Sequence, residues 1–370
     1  MLDYDVAIIG AGIAGASLAA ELAPHMRVLL VEAEDQPGYH ATGRSAAFWA
    51  ESYGGPDVQP LTTASGPWLL RPPSDISDRS FLAPRGALTL ARADQRDALQ
   101  VLVDMFAGSG VRMERWDREA IEAKVPGVSS DIVSAVYEPD CQDIDVGGLH
   151  NAWLASARRA GVTLALRAPL TAARSISGGW QLTIGSQQVS AGLLANAAGA
   201  WADEVAGIAG IDPVGIRPFR RTIVQLRTDP APAPDLPLTL GIGGDYYFKP
   251  EAGRLWLSPH DEIPSPPCDS APEEIDIALA IERFGEVVDW RIEAVERRWA
   301  GLRSFAPDRL PVIGFAPQSD RFFWFAGQGG FGIQTAPAAA SMAGSIITGQ
   351  SPSEMIAGIE MRKYDPCRFG

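Results

Sequence analysis

The 370-residue sequence contains few cysteines, few lysines and fewer basic than acidic residues. Cys141, Cys268 and Cys367 are odd in number and far apart, which argues against a disulfide framework and leaves no Cys-x-x-Cys metal or redox motif. The 31 basic and 45 acidic residues give a net charge of −14, which would repel a nucleic-acid backbone. We therefore expect a protein of a reducing compartment that binds no nucleic acid.

Long apolar segments are also absent. The apolar run at residues 6–20 follows Asp3 and Asp5 rather than basic residues, and glycines interrupt it, unlike the core of a signal peptide. No other segment approaches the roughly 20 apolar residues that are needed to cross a bilayer. The sequence therefore predicts no transmembrane segment and a cytoplasmic location. Its 46% of apolar residues are enough for the cores of two domains.

The N-terminal residues have the pattern of a β-α-β unit, with an apolar strand at 5–9, a helix at about 13–22 and a second strand at 27–31. The turn between strand and helix, Gly10-Ala11-Gly12-Ile13-Ala14-Gly15, fits the GxGxxG motif, and Glu32 follows at the end of the second strand. This order of elements predicts a dinucleotide-binding fold.

Each part of the motif has its own physical role. Gly10 permits the tight turn, Gly12 lets the backbone approach a pyrophosphate, and Gly15 lets helix and strand pack closely. The helix N-terminus supplies amide donors to the phosphates, and Glu32 can accept hydrogen bonds from the adenosine ribose. The motif alone does not separate FAD from a nicotinamide cofactor.

The remaining patterns predict an α/β fold class with two domains. The strand–glycine loop–helix pattern recurs near the C-terminus, where a strand at 322–326 precedes a helix from about Gly332 to Thr348. Strand patterns separated by prolines predict an antiparallel sheet in between, at 86–92, 133–137, 222–227, 245–249 and 255–258. We predict a Rossmann-like domain of residues 1–85, 143–215 and 306–370, and an α+β substrate domain of residues 86–142 and 216–305.

The segment Gly38-Tyr39-His40-Ala41-Thr42-Gly43-Arg44-Ser45-Ala46-Ala47 resembles the flavin-contacting loop of the D-amino acid oxidase family. Within that family the likeness is greatest to bacterial FAD-dependent D-amino acid dehydrogenases of the D-arginine dehydrogenase kind. Further motifs follow in the expected order along nearly the whole chain, at 143–145, 196–201, 299–305 and 328–334.

The resemblance implies non-covalent FAD that lies between the Rossmann-like domain and the substrate domain. Thr42 to Ala47 would wrap the pyrophosphate and the flavin ring, and the C-terminal glycine loop would face the ring. The predicted cofactor-binding residues are Gly10, Gly12, Ala14, Gly15, Glu32, Ala33, Thr42, Gly43, Arg44, Ser45, Ala46, Ala47, Ala198, Gly199, Gly329, Gly330, Phe331, Gly332, Ile333 and Gln334.

The resemblance also implies oxidation of a small amino acid at Cα, by hydride transfer to the flavin. This chemistry needs a clamp for the substrate carboxylate, and the planar fork of arginine is suited to bind one through two parallel hydrogen bonds. Arg303 and Arg221 match the carboxylate-binding arginines of the family. Arg220 must face the other side of the same strand. Tyr247 and Tyr53 match tyrosines that contact substrate, Tyr53 from a mobile loop.

Two departures from D-arginine dehydrogenases change the predicted substrate pocket, which also includes Gly330. Ala87 stands where those enzymes have a glutamate for the cationic tail, and Phe48 stands where they have a histidine. A cationic tail would lose the group that compensates for its desolvation, so we expect neutral, apolar tails. Glu51 could restore an anion, but we expect it in a solvated loop.

Other functions stay open at this point. The same clamp would serve oxidation of a secondary amine such as sarcosine or proline, or of a 2-hydroxy acid. A flavin-binding scaffold without turnover and a nicotinamide dehydrogenase are further alternatives. The electron acceptor would be a quinone or oxygen. We predict slow reaction with oxygen, because Lys124 and Lys363 lie outside every flavin motif and Lys249, next to Pro250, is expected in solvent.

Overall fold

The computed structural model describes residues 2–370. Within these residues the chain forms eight α-helices: α1 Ile13–Leu22, α2 Gln59–Leu70, α3 Arg96–Met105, α4 Arg118–Lys124, α5 Val146–Arg159, α6 Ala202–Ile208, α7 Glu274–Val287 and α8 Ala336–Thr348. The strands in the same residues are β1 Tyr4–Ile9, β2 Val28–Val31, β3 Phe48–Trp49, β4 Leu82–Pro84, β5 Ala87–Arg92, β6 Glu114–Trp116, β7 Ile132–Glu138, β8 Gln142–Ile144, β9 Thr163–Ala165, β10 Leu170–Ile176, β11 Gly179–Ile184, β12 Gln187–Asn196, β13 Arg217–Asp229, β14 Leu238–Gly241, β15 Tyr247–Glu251, β16 Arg254–Ser258, β17 Ile263–Pro264, β18 Arg291–Phe305, β19 Val312–Ala316, β20 Ser319–Ala326 and β21 Gln328–Gly329.

The first sheet has a parallel centre in the order β20-β12-β1-β2-β9. An antiparallel β19 borders β20, and the hairpin β10–β11 extends the sheet beside the first half of β12. Both β1 and β2 are buried along their apolar residues, as expected for parallel strands that are covered on both faces. Helices α1, α5 and α8 pack on one face, and α6 packs on the other.

The second sheet follows the order β21-β18-β13-β16-β15-β14-β5-β7-β6, with β17 also paired to β13. Its pairs are antiparallel except for β5 and β14, which are parallel. The long strands β13 and β18 pair from Arg217 opposite Phe305 to Asp229 opposite Arg291. Apolar residues of α4 and α7 cover one face of this sheet. The other face, through Ala87, Ile223 and Tyr247, meets Ala46 and Ala50 from the first half of the molecule.

A small third sheet joins the two larger ones in the order β3-β8-β4. Phe48 pairs with Asp143, and Leu82 pairs with Ile144. Strand β3, which follows the predicted flavin-contacting loop, is held through β8 beside β4, and β4 leads directly into β5 of the second sheet. The small sheet therefore fixes the position of residues 45–53 relative to both sheets.

The predicted fold class is confirmed, since a Rossmann-like parallel sheet and a largely antiparallel second sheet are both present. The predicted residue bounds of the two domains stay a prediction. The expected C-terminal helix start at Gly332 is wrong, because α8 begins at Ala336. Pro337 explains the later start, since proline is tolerated only in the first turn of a helix.

Candidate active site

The N-terminal glycine motif forms a close-packed turn where β1 passes into α1. Gly10 has a φ of +99°, and a Cβ there would lie 2.5 Å from the Ala197 carbonyl oxygen. A Cβ on Gly15 would lie only 1.8 Å from the Gly10 carbonyl oxygen. Both positions therefore require glycine, and the backbone at the start of α1 is left free of side chains for a phosphate to approach.

Two side chains buttress this turn from outside the motif. Glu32 accepts hydrogen bonds from the Ala11 and Glu34 amides at 3.0 and 3.1 Å, which fixes its carboxylate at the edge of the cavity. Thr42 accepts the Ile13 amide at 2.9 Å and so caps the first turn of α1. Each carboxylate oxygen has a further lone pair, so Glu32 can still accept a ribose hydroxyl.

A long cavity starts at this turn and runs between the two sheets. It is lined by predicted cofactor residues: Gly10, Gly12, Ala14, Glu32, Thr42, Ser45, Ala198, Gly199, Gly329, Gly330, Gly332 and Ile333. One end of the cavity lies at the glycine turn and Glu32. Arg303 lines the other end, where the cavity meets a second, smaller one. The cavity therefore connects the nucleotide motif with the predicted substrate clamp.

Several predicted cofactor residues do not line either cavity. Gly15 and Gly43 pack against the Gly10 and Gly38 carbonyl oxygens instead, and Ala33 and Phe331 lie outside the lining. Arg44 turns away as well, because its guanidinium pairs with Asp269 and donates to the carbonyl oxygens of Tyr39, Ser270 and Ala300. Its role in the structure is to tie the flavin-contacting loop to the second sheet.

Sequence reasoning missed part of the lining of the long cavity. The missed residues include Gly38, Tyr39, His40, Ala197, Trp201 and Leu302. The rings of His40 and Trp201 lie 4.6 Å apart and come from different halves of the predicted first domain. Both residues fall inside motifs that the resemblance had already marked, so extending the prediction to every residue of those motifs would have found them.

The smaller cavity gathers the predicted substrate residues. Phe48, Tyr53, Arg221, Tyr247, Arg303 and Gly330 line it, together with Ser45, Ala46, Ala47, Ile333, Gln334 and two residues that were not predicted, Leu240 and His260. Its volume is about 30 Å³, which is the space of one or two water molecules. The cavity is therefore narrow, and it leaves room for only a small group beside the arginines.

The two arginines come together because β13 and β18 pair in antiparallel register. Arg221 stands opposite Gly301, and Arg303 follows two residues after Gly301 on the same face of β18. A Cβ on Gly301 would lie 3.1 Å from an Arg303 guanidinium nitrogen, so glycine leaves room for that group. Arg220 faces the other side and pairs with Glu273 and Asp276, as the strand alternation predicts.

Arg221 is held by other protein groups. Its Nε donates to the Asp261 carbonyl oxygen at 2.7 Å, and its guanidinium lies 3.2 Å from the Glu262 carboxylate. Burial works against the charge of Arg221, but the surrounding tyrosines and the Asp261 and Glu262 carboxylates outweigh burial and raise its pKa. Arg309 holds Glu262 in turn, at 2.8 and 3.0 Å. Arg221 is therefore a positioned and permanently charged group.

Arg303 is different, because it makes no hydrogen bond or ion pair with any described residue although only 7% of it is exposed. Burial lowers its pKa, and the neighbouring charge of Arg221 lowers it further. A buried guanidinium without a partner is strongly unfavourable unless an anion joins it. Its free donors border both cavities, so this position calls for an anionic group of a ligand.

Aromatic rings close the cavity above the arginines. Phe48 and Tyr53 lie 5.1 Å apart between ring centroids, and Phe48 lies 6.4 Å from Tyr247. The Tyr53 hydroxyl approaches Gly330 so closely that a Cβ there would lie 2.2 Å from it. Gly330 therefore has to be a glycine for Tyr53 to occupy this place.

The segment that carries Tyr53 is tied down at both ends. Glu138 accepts the Glu51 amide at 2.7 Å and the Ser52 hydroxyl, and Gln334 exchanges hydrogen bonds with the Ala50 amide and the Tyr53 carbonyl oxygen at 3.1 Å. Glu138 belongs to the second sheet, and Gln334 precedes α8. The loop that the resemblance describes as mobile is thus bonded to both halves of the molecule in this structure.

His260 is the functional candidate that sequence reasoning missed. Its Nδ1 lies 2.9 Å from the Gly244 carbonyl oxygen, which can only accept, so Nδ1 carries a proton and Nε2 keeps a free lone pair. Burial lowers the pKa of His260 to about 4, and the charges of Arg221 and Arg303 contribute. A neutral imidazole with an acceptor nitrogen thus lines the cavity at neutral pH. No motif marked it, since it lies in an irregular segment after β16.

Three expectations about nearby side chains need correction. Ala87 is not among the residues that line the cavity, but it is buried behind them in the apolar cluster that contains Cys141, Leu238 and Tyr247. Glu51 is buried rather than solvated, because its carboxylate accepts the Thr63 hydroxyl of α2. Lys249 is also buried, with 3% exposed, because Asp143 at 2.7 Å and Glu251 at 3.2 Å compensate its charge.

Comparison with known proteins gives the class. Residues 5–345 match the DAO family of FAD-dependent oxidoreductases. That range is most of the chain, and the fold and the glycine-lined cavity described above agree with it. The chain therefore belongs to this family of FAD-dependent oxidoreductases.

The individual relatives share only about a quarter of their residues with this chain. The chain is 27% identical to the bifunctional protein ThiO/ThiG of Synechocystis sp. over 99% of its length and 54% of the relative, and 26% identical to the mitochondrial dimethylglycine dehydrogenase of Rattus norvegicus over 99% and 45%. It thus spans about half the length of these two relatives. The glycine oxidase of Pseudomonas aeruginosa is 26% identical over 94% of the chain and 95% of the relative.

Solved structures show the same fold. Glycine oxidase from Geobacillus kaustophilus superposes with a TM-score of 0.85 at 22% identity, over 99% of this chain and 98% of that one. L-proline dehydrogenase from P. horikoshii has the same TM-score at 21% identity, over 99% and 97%. None of the relatives named here is a D-arginine dehydrogenase.

The residues of the long cavity fit FAD. The glycine turn leaves a space for a phosphate that a Cβ would fill, and Glu32 can accept the ribose hydroxyls. The other end of the cavity reaches Arg303, next to Arg221. In residues 2–370 no helix is long and apolar enough to span a membrane. The same residues contain no group of side chains that could hold a metal ion.

Proposed function

We propose that this protein oxidises a small, neutral or apolar D-amino acid at Cα, giving an imine that hydrolyses to a 2-oxo acid. The observation that carries the proposal is the buried Arg303, which has no partner among the described residues and lies beside Arg221 at the end of the cofactor cavity. An amino-acid carboxylate would supply the missing anion. Bound FAD would supply the chemistry of hydride acceptance at N5.

The arginines set the direction of the substrate. Arg303 offers its fork to the carboxylate, and Arg221, held by Asp261 and Glu262, adds a second positive charge at a fixed place. A substrate bound at two points has its Cα in one orientation, which is the main contribution that a protein makes to such a transfer. Tyr53 and Phe48 exclude water above it.

His260 would act on the amino group. An amino acid binds from neutral water as an ammonium, and the amine must lose a proton before a hydride leaves Cα. Burial, with the charges of Arg221 and Arg303, keeps the imidazole of His260 neutral, so its Nε2 would accept a hydrogen bond from the amino group and favour the unprotonated amine. His260 would thus compensate for the histidine that Phe48 replaces.

The residues that line the cavity restrict the polarity of the substrate side chain. Leu240, Phe48 and Ile333 are apolar, and no carboxylate lines the cavity among the described residues. A guanidinium or ammonium tail would lose its hydration without gaining an ion pair, which costs several kcal/mol. The resemblance to D-arginine dehydrogenases would then cover the arginines that bind the substrate carboxylate, but not the part of the pocket that holds the substrate side chain.

A second candidate is oxidation of a secondary amine of the sarcosine or proline type. The specific observation in its favour is the apolar lining by Phe48, Leu240 and Ile333, which would accept an alkyl group on the amine as well as one on Cα. The relatives named above include a glycine oxidase, a dimethylglycine dehydrogenase and a proline dehydrogenase. The clamp would be the same, and only the amine substituent would differ.

The cofactor would be held without a covalent bond, because no cysteine lies in the flavin-contacting motifs. The acceptor would be a quinone rather than oxygen. Lys249 is buried instead of solvated, but its ammonium is balanced by two carboxylates, so it offers little extra stabilisation to a superoxide-like anion.

The test is anaerobic reduction of the purified yellow protein by D-alanine, D-proline, sarcosine, glycine, L-alanine, D-arginine and D-lactate. Bleaching should be fastest with a small neutral D-amino acid and slowest with D-arginine. Faster bleaching with sarcosine selects the second candidate. Bleaching by D-lactate alone would select a 2-hydroxy acid, and absence of bleaching by every compound, with FAD present in the spectrum, would favour a flavin-binding scaffold.

A further inference from the structure

A third cavity lies on the far side of the segment Ser45–Ala47. It is an open cleft of about 650 Å³ between the second and third sheets, and it is far larger than the substrate cavity. Ser45 lines the long cavity, the substrate cavity and this cleft, and Ala46 and Ala47 line the last two. A molecule in the cleft is therefore separated from the cofactor and substrate sites by one backbone segment.

The charged groups of the cleft are already paired with each other. Asp143 lies 2.6 Å from Arg85 and 2.7 Å from Lys249, and Lys249 also pairs with Glu251 at 3.2 Å. Asp145 accepts the Gly148 amide at the start of α5 at 2.8 Å. The two cations and three anions leave the cleft slightly negative, so it offers no free positive charge to a phosphate or a nucleotide.

The remaining walls of the cleft are apolar and include rigid rings. The apolar side chains that line it include Phe81, Leu82, Pro232, Pro250 and Trp256. Such walls, beside charges that are paired with each other, are suited to a planar neutral molecule. The opening to solvent lets such a molecule enter without passing through the closed substrate cavity.

We propose that this cleft binds the electron acceptor and that the acceptor is a neutral quinone. The inference rests on the proposed function, because a flavoenzyme that oxidises an amine must pass on two electrons. Each amine that becomes an imine releases two electrons and two protons, and one quinone takes up both to leave as the hydroquinone. Substrate and acceptor therefore use different entrances, and Ser45–Ala47 separates their binding sites.

The experiment fills the cleft and measures the two half-reactions separately. Ala83 lies in β4, is exposed and lines the cleft opposite Asp143, so Ala83→Trp places an indole in the space. In the holoenzyme, reduction of the flavin by the amine should be unchanged. Reoxidation by menadione in stopped flow should become at least tenfold slower, whereas reoxidation by oxygen should change less than twofold. Ala107→Trp, on the exposed turn after α3, is the matched control.

A binding measurement keeps the result independent of turnover. Equilibrium dialysis of menadione against the oxidised holoenzyme should show one site that Ala83→Trp weakens at least tenfold and Ala107→Trp does not. Acetate, a small carboxylate for the substrate cavity, should not displace menadione. Equal menadione binding and reoxidation in wild type and Ala83→Trp would overturn the proposal, as would competition by acetate. A protein that no amine bleaches would refute the proposed function but leave the binding result readable.

Discussion

The two ends of the connected cavities are built in different ways. The nucleotide end consists mostly of backbone and small residues from contiguous motifs, with Gly10, Gly12 and Thr42 around one helix start. The substrate end consists of large side chains from separate strands and loops, such as Phe48, Arg221 and His260. The first end is therefore specified by local sequence, whereas the second exists only after the strands have paired.

The two ends also differ in how their functional residues affect the stability of the fold. At the nucleotide end, the groups that would bind the cofactor are also the groups that hold β1 and α1 together, because Gly15 and Gly10 are in van der Waals contact. At the substrate end, the side chain of Arg303 makes no hydrogen bond or ion pair with a described residue, so the burial of its charge opposes folding. Substitutions in the glycine turn should therefore lower stability, whereas substitution of Arg303 should raise it.

The largest expected effect is at Arg303. Arg303→Met removes a buried charge without a partner, so we expect kcat/KM to fall about 1000-fold while the free energy of unfolding rises by about 1 kcal/mol or more. The matched variant is Arg221→Met, which should also lose activity but should lower stability, because it leaves the Asp261 carbonyl oxygen without its side-chain donor and Glu262 with Arg309 as its remaining partner. Steady-state kinetics and urea unfolding of both variants test this. Loss of stability in Arg303→Met would contradict the comparison.

The next effect is at the nucleotide end. Gly15→Ala puts a methyl group 1.8 Å from the Gly10 carbonyl oxygen, so α1 must move, and we expect a loss of about 3 kcal/mol together with loss of bound flavin. Gly207→Ala in α6 meets nothing within 4 Å and should be neutral or slightly stabilising. Thermal unfolding and the flavin-to-protein absorbance ratio give the answer. An unchanged flavin content in Gly15→Ala would break the assignment of this end.

A smaller effect follows from the pH dependence of His260. Its pKa is about 4 in the folded chain, below the ordinary value of 6.5, so the unfolded chain binds the proton more tightly and stability falls as pH decreases through this window. Between pH 7 and pH 5 this group should remove about 2 kcal/mol from the free energy of unfolding. In His260→Asn that part of the pH dependence should be missing. An identical pH profile in the variant would show that His260 is exposed to water.

The smallest effect concerns the Tyr53 segment. Ser52→Ala removes the hydroxyl that donates to Glu138, a change of about 1 kcal/mol, so Tyr53 should be held less firmly and KM should rise about fivefold with little change in kcat. Ser77→Ala is the control, because Ser77 bonds only to Arg79 in its own loop. A fall in kcat with unchanged KM would mean that Tyr53 is needed after binding rather than for it.

Sequence reasoning reached the first sheet, the nucleotide motif and the paired arginines, because periodicity and contiguous motifs encode them. It could not reach His260 or Leu240, since an irregular segment and an edge of β14 come next to Arg221 only through the strand order of the second sheet. It misplaced Ala87, Glu51 and Lys249 for a related reason. The burial of these side chains depends on partners that are distant in sequence, namely the Cys141 cluster, Thr63 and Asp143.

The hydrogen bonds of residues 50–53 connect the segment that covers the substrate cavity, called the cavity roof, to both halves of the molecule. One set of bonds ends on Glu138 in the second sheet, and the other ends on Gln334 ahead of α8. If either half loosens, the roof loses one of its anchors, so heat or denaturant should abolish substrate binding no later than the unfolding of the weaker half. A ligand that fills the cavity should consequently strengthen both halves at once and merge their melting into a single transition.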